Sequence, residues 1–121
     1  MGEPEVVGIC HCKDCQRQTA SAFATLAVFD QTAVTLEGNL SEFTTLGESG
    51  RRVKRLFCPE CGVGVVSEAD FFPGKCLLKC GTFDDTQWVK PVFSLYCDSA
   101  QSWMKLPETP LTFDRMLVPA G

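Results

Sequence analysis

The chain has 121 residues, 45% of them hydrophobic and 21% charged, with ten glycines and seven prolines. That is enough chain for one hydrophobic core and too little for two, so a single domain over residues 1–121 is predicted and disorder or collagen-like repeats are excluded. Fifteen acidic against eleven basic side chains, a net charge of -4, argue against a dedicated nucleic-acid binder.

In chain order, the first feature is the run Gly8-Ile9-Cys10-His11-Cys12-Lys13-Asp14-Cys15-Gln16-Arg17, followed by a polar stretch, 16–21, read as a turn or one helical turn. Residues 23–29 (Phe-Ala-Thr-Leu-Ala-Val-Phe) read as a buried strand. Val34-Thr35-Leu36 is predicted as a short strand that turns at Glu37-Gly38-Asn39 and returns over 40–45, with a loop at 47–50. Four cations then fall within five residues, Arg51, Arg52, Lys54 and Arg55. They suit an anionic ligand, but a solvated strand or turn edge is the favoured reading. Residues 53–57 lead into Cys58-Pro59-Glu60-Cys61-Gly62 and 64–67 lead out, the pattern of a hairpin with a metal knuckle at its tip. Phe71-Phe72-Pro73-Gly74 is a turn whose rings cover the core. Residues 76–80 and 91–97 are strand candidates, separated by a polar break at 82–85. The tail from Ser102 holds Trp103, Pro107, Pro110 and Pro119 and few helical signals. Short strands with frequent turns predict an all-β fold of small twisted antiparallel sheets stitched by zinc.

The longest apolar runs, 26–29 and 63–66, fall far short of the roughly 20 residues that cross a bilayer. The N-terminus lacks the basic and apolar regions of a secretory leader. Met1-Gly2 opens like a myristoylation site, but Val6 stands where Ser or Thr is required. A cytoplasmic protein without a membrane partner is expected.

Eight cysteines in 121 residues are fewer than a disulfide-stapled secreted scaffold carries. Their spacing is more informative. A C-x-x-C pair places two thiolates on one tight turn where both reach a zinc ion at about 2.3 Å, and in Cys58-Pro59-Glu60-Cys61-Gly62 the proline fixes its own φ while Gly62 permits a positive one. A redox role for this pair lacks the strand-loop-helix context of thioredoxin-type motifs. Cys10, Cys12 and Cys15 converge on one ion only if the backbone curls around it. His11 between them is expected to point away from the site, with metal ligation or proton carriage as the other readings. Cys76, Cys80 and Cys97 stand in apolar sequence, where core packing is favoured.

Cys10-His11-Cys12-Lys13-Asp14-Cys15-Gln16-Arg17, Ser21-Ala22-Phe23, Arg55-Leu56-Phe57-Cys58-Pro59-Glu60-Cys61-Gly62, Gly81-Thr82-Phe83-Asp84-Asp85 and Ser99-Ala100-Gln101-Ser102-Trp103 together resemble the glutathione-dependent formaldehyde-activating enzyme (GFA) family, whose domain the centromere protein V-like proteins share. The resemblance covers residues 6–105. It implies a β-tent fold with two zinc sites. Cys10, Cys12 and Cys15 would hold the catalytic zinc with one coordination position open. Cys58 and Cys61 would supply half of a closed structural site, completed in the family by an upstream C-x-C pair in a Gly-rich first strand. The chain opens at Met1-Gly2-Glu3-Pro4 without that pair, so a member shortened at its N-terminus is expected. Three arrangements then stand open beside the family triplet. One zinc could be shared by Cys12, Cys15, Cys58 and Cys61; a second subunit could complete the half-site in a homodimer; or the half-site could stay empty.

The activity that the resemblance implies is zinc-dependent carbon-sulfur chemistry, in which the sulfur of glutathione adds to formaldehyde to give S-(hydroxymethyl)glutathione, or the reverse lyase reaction. The partners are then a small glutathione-like thiol and an aldehyde. Three thiolates on Zn²⁺ make a poor Lewis acid with an affinity for soft thiol ligands. Arg17 and the cations at 51–55 are candidates for the glutathione carboxylates. The alternatives are a non-catalytic zinc-stabilised binding module of the same fold and, less favoured, a small redox protein.

Overall fold

The computed structural model describes residues 3–47 and 50–116, so Met1, Gly2, part of the 47–50 loop and Pro119 lie outside the described residues. Strands β1 (Val6–Cys10), β2 (Ala24–Asp30), β3 (Ser41–Leu46), β4 (Arg52–Phe57), β5 (Gly64–Ala69), β6 (Lys75–Lys79), β7 (Phe93–Leu95) and β8 (Leu111–Thr112) form from segments rich in apolar and β-branched residues, and the α-helix α1 (Lys13–Thr19) lies between β1 and β2. The fold is all-β. The expected small antiparallel sheets are instead one continuous sheet, ordered β3-β4-β5-β6-β2-β1-β7-β8. Two of its pairings, β1 with β7 and β7 with β8, are parallel. Each follows a long excursion of chain, which parallel neighbours require and a tight hairpin forbids. Among the described residues no helix is long and apolar enough to cross a membrane.

Pairing register divides the sheet into two faces, because residues directly opposite one another share a face and neighbours along a strand alternate. Val7 pairs with Ala27 and Ala27 with Leu78, and Leu78 pairs in turn with Val66. With Phe29, Cys76 and Cys80 these residues form a closed apolar core. The other face carries Arg55 opposite Ser67, Ser67 opposite Leu77, then Lys79 opposite Leu26, Leu26 opposite Gly8, and Cys10 opposite Leu95. One face is dry and aliphatic; the other brings cations and thiols together.

Several local expectations are corrected. Residues 34–39 form no strand. Asp30 caps a 3-10 turn at Gln31–Ala33, its carboxylate accepting from the N–H and hydroxyl of Thr32 at 3.0 and 2.7 Å, which turns the chain off the sheet. The predicted return segment pairs instead with β4, in a ladder from Ser41–Phe57 to Leu46–Arg52 that is longer than three residues at 34–36 could offer. The strand expected over 91–97 is only three residues long, because Tyr96 adopts φ 55°, a left-handed conformation that ends extended pairing. Helix α1 runs seven residues, longer than one turn. The β4–β5 hairpin forms as expected, with residues 58–63 at its tip and a register shift between Leu56 and Phe57. Cys76 and Cys80 are core residues, as read, whereas Cys97 is half-buried.

Candidate metal centre

Two elements carry the first cysteine group, β1 and α1. Cys10 ends β1, Cys12 is the N-cap of α1, and Cys15 is the third helical residue. An N-cap side chain accepts a hydrogen bond from the N–H three residues on, and here the N–H of Cys15 donates to the Cys12 sulfur at 3.3 Å. The C-x-x-C spacing is thus the spacing of a helix cap, with a thiol where Ser or Asp is usual. A strand end, a cap and the first helical turn meet at one point, and the sulfurs of Cys10, Cys12 and Cys15 lie within 4.8 Å of one another, all three residues buried. Tetrahedral coordination with bonds of about 2.3 Å separates sulfurs by about 3.8 Å, so the three thiols fit one ion with only small side-chain adjustments.

The loop that carries them is tied down. The N–H of His11 donates to the carbonyl of Leu95 at 3.0 Å. The buried Gln16 amide donates to the carbonyls of His11 at 2.6 Å and Ser99 at 2.9 Å, and its oxygen accepts from Gln101 at 3.1 Å. The amide therefore clamps the peptide between Cys10 and Cys12 to the segment after β7. His11 is fully buried, its ring tilted against Phe23 at 5.4 Å, and neither ring nitrogen has a hydrogen-bond partner among the described residues. Burial lowers its pKa, which keeps it neutral. It does not belong to the group of converging ligand atoms.

The thiols open on a cavity whose other walls come from the sheet face described above. Leu26, Leu77 and Leu95 make its apolar part, and Arg55, Ser67 and Lys79 its polar part. Lys79 is only 7% exposed and Arg55 only 8%. The Lys79 ammonium donates to the Ser67 hydroxyl at 3.0 Å, and Arg55 donates to the Gln18 side chain on α1 at 2.7 Å. Arg51 and Arg52 stand exposed at the mouth with the half-buried Asp14. Within the cluster, charge settles on Cys15. Its pKa is depressed because the Cys10 and Cys12 thiols donate to it, with the fields of Lys79 and Arg55 adding to the effect, whereas Cys10 is raised by its bonds to Cys12 and Cys15 and by burial. Burial lowers Lys79 to about 8 even though the facing cysteines oppose the shift.

Cys58 and Cys61 lie apart from this group. At the β4–β5 tip the N–H of Cys58 donates to Val63 at 2.9 Å and that of Gly62, at φ 80°, donates back to Cys58 at 2.8 Å. Cys58 is half-buried and Cys61 exposed. The N–H of Cys61 and then that of Glu60, aimed at the Cys58 sulfur, lower its pKa. Among the described residues the structure does not bring the pair together with Cys12 and Cys15. Of the cations singled out in the sequence, Arg55 lies in the cavity, Arg51 and Arg52 at its mouth, and Arg17 is exposed on α1. Lys79 and Gln16 are missed by sequence reasoning. A lysine inside the apolar run Cys76-Leu77-Leu78-Lys79-Cys80 is the one signal that could have exposed the first.

An all-β chain that gathers three buried thiols where a central strand ends and a helix begins belongs to the class of proteins with a thiol-lined candidate metal centre. The model of the family described as glutathione-dependent formaldehyde-activating enzyme matches residues 1–99, and the chain belongs to that family. No curated protein matches the chain.

Proposed function

We propose that the chain is a zinc-dependent carbon-sulfur lyase and synthase acting on a glutathione-aldehyde adduct, with Cys10, Cys12 and Cys15 as both the metal ligands and the catalytic centre. The observation that carries this reading is the convergence of three buried sulfurs within 4.8 Å on a cavity with cationic walls. Bound there, zinc would favour the thiolate form of an incoming thiol.

The chain's own residues supply the rest. Leu26, Leu77 and Leu95 exclude water, which strengthens every charge interaction inside. Arg51 and Arg52 at the mouth offer guanidinium donors to the carboxylates of glutathione. In the synthetic direction the thiol sulfur bonds to the carbonyl carbon of formaldehyde and the thiol proton ends on the carbonyl oxygen. The product is S-(hydroxymethyl)glutathione, and the lyase direction reverses each change. Because the addition also proceeds uncatalysed, holding the two reactants together is the main contribution expected of the protein. We further assign Cys58 and Cys61 as a second metal half-site, supported by their C-x-x-C turn and by the N–H groups aimed at Cys58.

Cys12→Ser tests the reading. Serine is a good N-cap, so α1 survives while one ligand is lost. The wild-type chain is expected to bind zinc at the triplet and to speed exchange between glutathione, formaldehyde and the adduct, measured by NMR exchange spectroscopy. The variant should do neither. Full zinc content and full exchange rate in Cys12→Ser would overturn the assignment.

A further inference from the structure

Two buried cations side by side need an explanation. Arg55 on β4 and Ser67 on β5 are directly opposite in register, and Lys79 on β6 donates to the Ser67 hydroxyl. The row Arg55-Ser67-Lys79 therefore crosses three strands on one face with both cations more than nine-tenths buried. Buried like charges repel, and each one carries a desolvation cost. Arg55 donates to the Gln18 amide oxygen and Lys79 to the Ser67 hydroxyl, both neutral groups. The cavity wall they face holds the three thiols.

On the function proposed above, the cavity carries a definite surplus of charge. Three thiolates around a divalent ion carry one net negative charge. Adding Lys79 and Arg55 leaves one net positive charge in a region with little water. Arg51, Arg52 and Asp14 stand nearer solvent, and Arg52 is paired with Asp70 at 3.1 Å, so water screens them and they enter this sum weakly. A neutral ligand leaves the surplus in place, while a ligand bearing one negative charge brings the buried cluster to zero.

We propose that Lys79 and Arg55 are the specificity-determining residues of the cavity, making it select a singly anionic ligand for the metal over a neutral one of similar size. They act through charge rather than through contact with a particular side group. The selection therefore extends to small thiolates that lack the carboxylates of glutathione.

The test uses the full chain loaded with Co²⁺, whose visible d–d bands shift with each added ligand and whose sulfur-to-metal charge-transfer bands grow when that ligand is a thiolate. Two small probes are titrated at one fixed pH: 2-mercaptoethanol, which binds as a thiolate, and imidazole, which binds neutral. Lys79→Met is expected to weaken the thiol about ten- to a hundredfold, the scale of one charge at a separation of several ångströms in an intermediate dielectric. Imidazole affinity should be unchanged or improved. Lys79→Arg should restore the wild-type preference. Arg55→Met should shift the thiol-to-imidazole ratio in the same direction, which keeps the test decisive if one variant folds poorly. If Lys79→Met and Arg55→Met lower both probes in parallel, or leave their ratio unchanged while the wild type binds cobalt and thiol normally, the selection is refuted and the proposed metal centre stands. A wild-type chain that takes up no cobalt at the triplet overturns both.

Discussion

Gly8 lies on the cavity face of β1, directly opposite Phe93 in the parallel pairing with β7. A Cβ added at this position would sit 2.2 Å from two atoms of the Phe93 ring and 2.8 Å from a third, where carbon atoms normally approach to about 3.5–4.0 Å. The ring must therefore move by more than about an ångström. It has little room, because Phe93 is 9% exposed and its strand is pinned between β1 and β8. Overpacking of this kind costs about 2–3 kcal/mol, offset by about 0.5–1 kcal/mol from the lower entropy of an unfolded chain with alanine. Gly8→Ala should thus lose about 2 kcal/mol, a fall in Tm of about 6–12 °C for a chain of this size. Thermal and urea unfolding measure it, and a double-mutant cycle with Phe93→Leu identifies the cause. If the clash is responsible, Gly8→Ala should cost less than about 0.5 kcal/mol in the Phe93→Leu background. Equal cost in both backgrounds, or no cost in either, refutes the argument. Because Cys10 follows two residues later on the same face, the single variant should also bind metal more weakly.

Lys79 is depressed to about 8 by burial, so below that pH the folded chain carries a buried charge that the unfolded chain exposes. The penalty is fully present below pH 8 and fades as pH rises toward the ordinary lysine value of about 10.4. Lys79→Met should accordingly stabilise the metal-free chain at pH 7 by on the order of 2 kcal/mol, with the gain shrinking through that window; a gain independent of pH would contradict it. Gln16→Leu strips partners from the His11 and Ser99 carbonyls and should cost about 2–3 kcal/mol in urea unfolding. Gln16→Glu should not rescue it, because a carboxylate cannot donate. Cys58, whose pKa is lowered by the N–H groups of Cys61 and Glu60, should alkylate in the folded metal-free chain with a midpoint pH below that of the unfolded chain. Its contribution to stability is present above the unfolded value and lost as pH falls through the folded one.

The parts of this fold that the sequence discloses are those written locally. The β4–β5 hairpin is visible because residues 53–57 and 64–67 flank a C-x-x-C turn closed by Gly62. The triplet is visible because three thiols within six residues have few other reasons to be close. What stays hidden depends on partners far along the chain. No local signal marks Val6–Cys10 as a strand, and only pairing with Phe93–Leu95, more than eighty residues on, makes it a central one. Arg55 in a run of four cations reads as solvated, yet alternation along β4 turns it inward to 8% exposure, while Lys54 pairs outside with Glu42 and Glu68 at 3.2 and 3.5 Å. The hairpin expected at 34–45 fails for the same reason, since β3 finds a longer partner in β4 than Val34-Thr35-Leu36 provides.

Register, more than cysteine spacing, decides what the thiols face. In β6 Leu77 and Lys79 point to the cavity while Cys76 and Leu78 enter the dry core. A slip of one residue against β2 and β5 would exchange these sets, carrying the Lys79 ammonium among Val7, Ala27 and Val66 with no acceptor in sight and opening Leu78 to the cavity. An unpaired buried ammonium costs several kcal/mol, so the same charge that would tune the cavity also forbids the misregistered sheet. The cationic wall and the aliphatic core are two outcomes of one pairing choice. A substitution that loosens β6 should therefore degrade stability and ligand selection together, even though none of its residues is a thiol of the triplet.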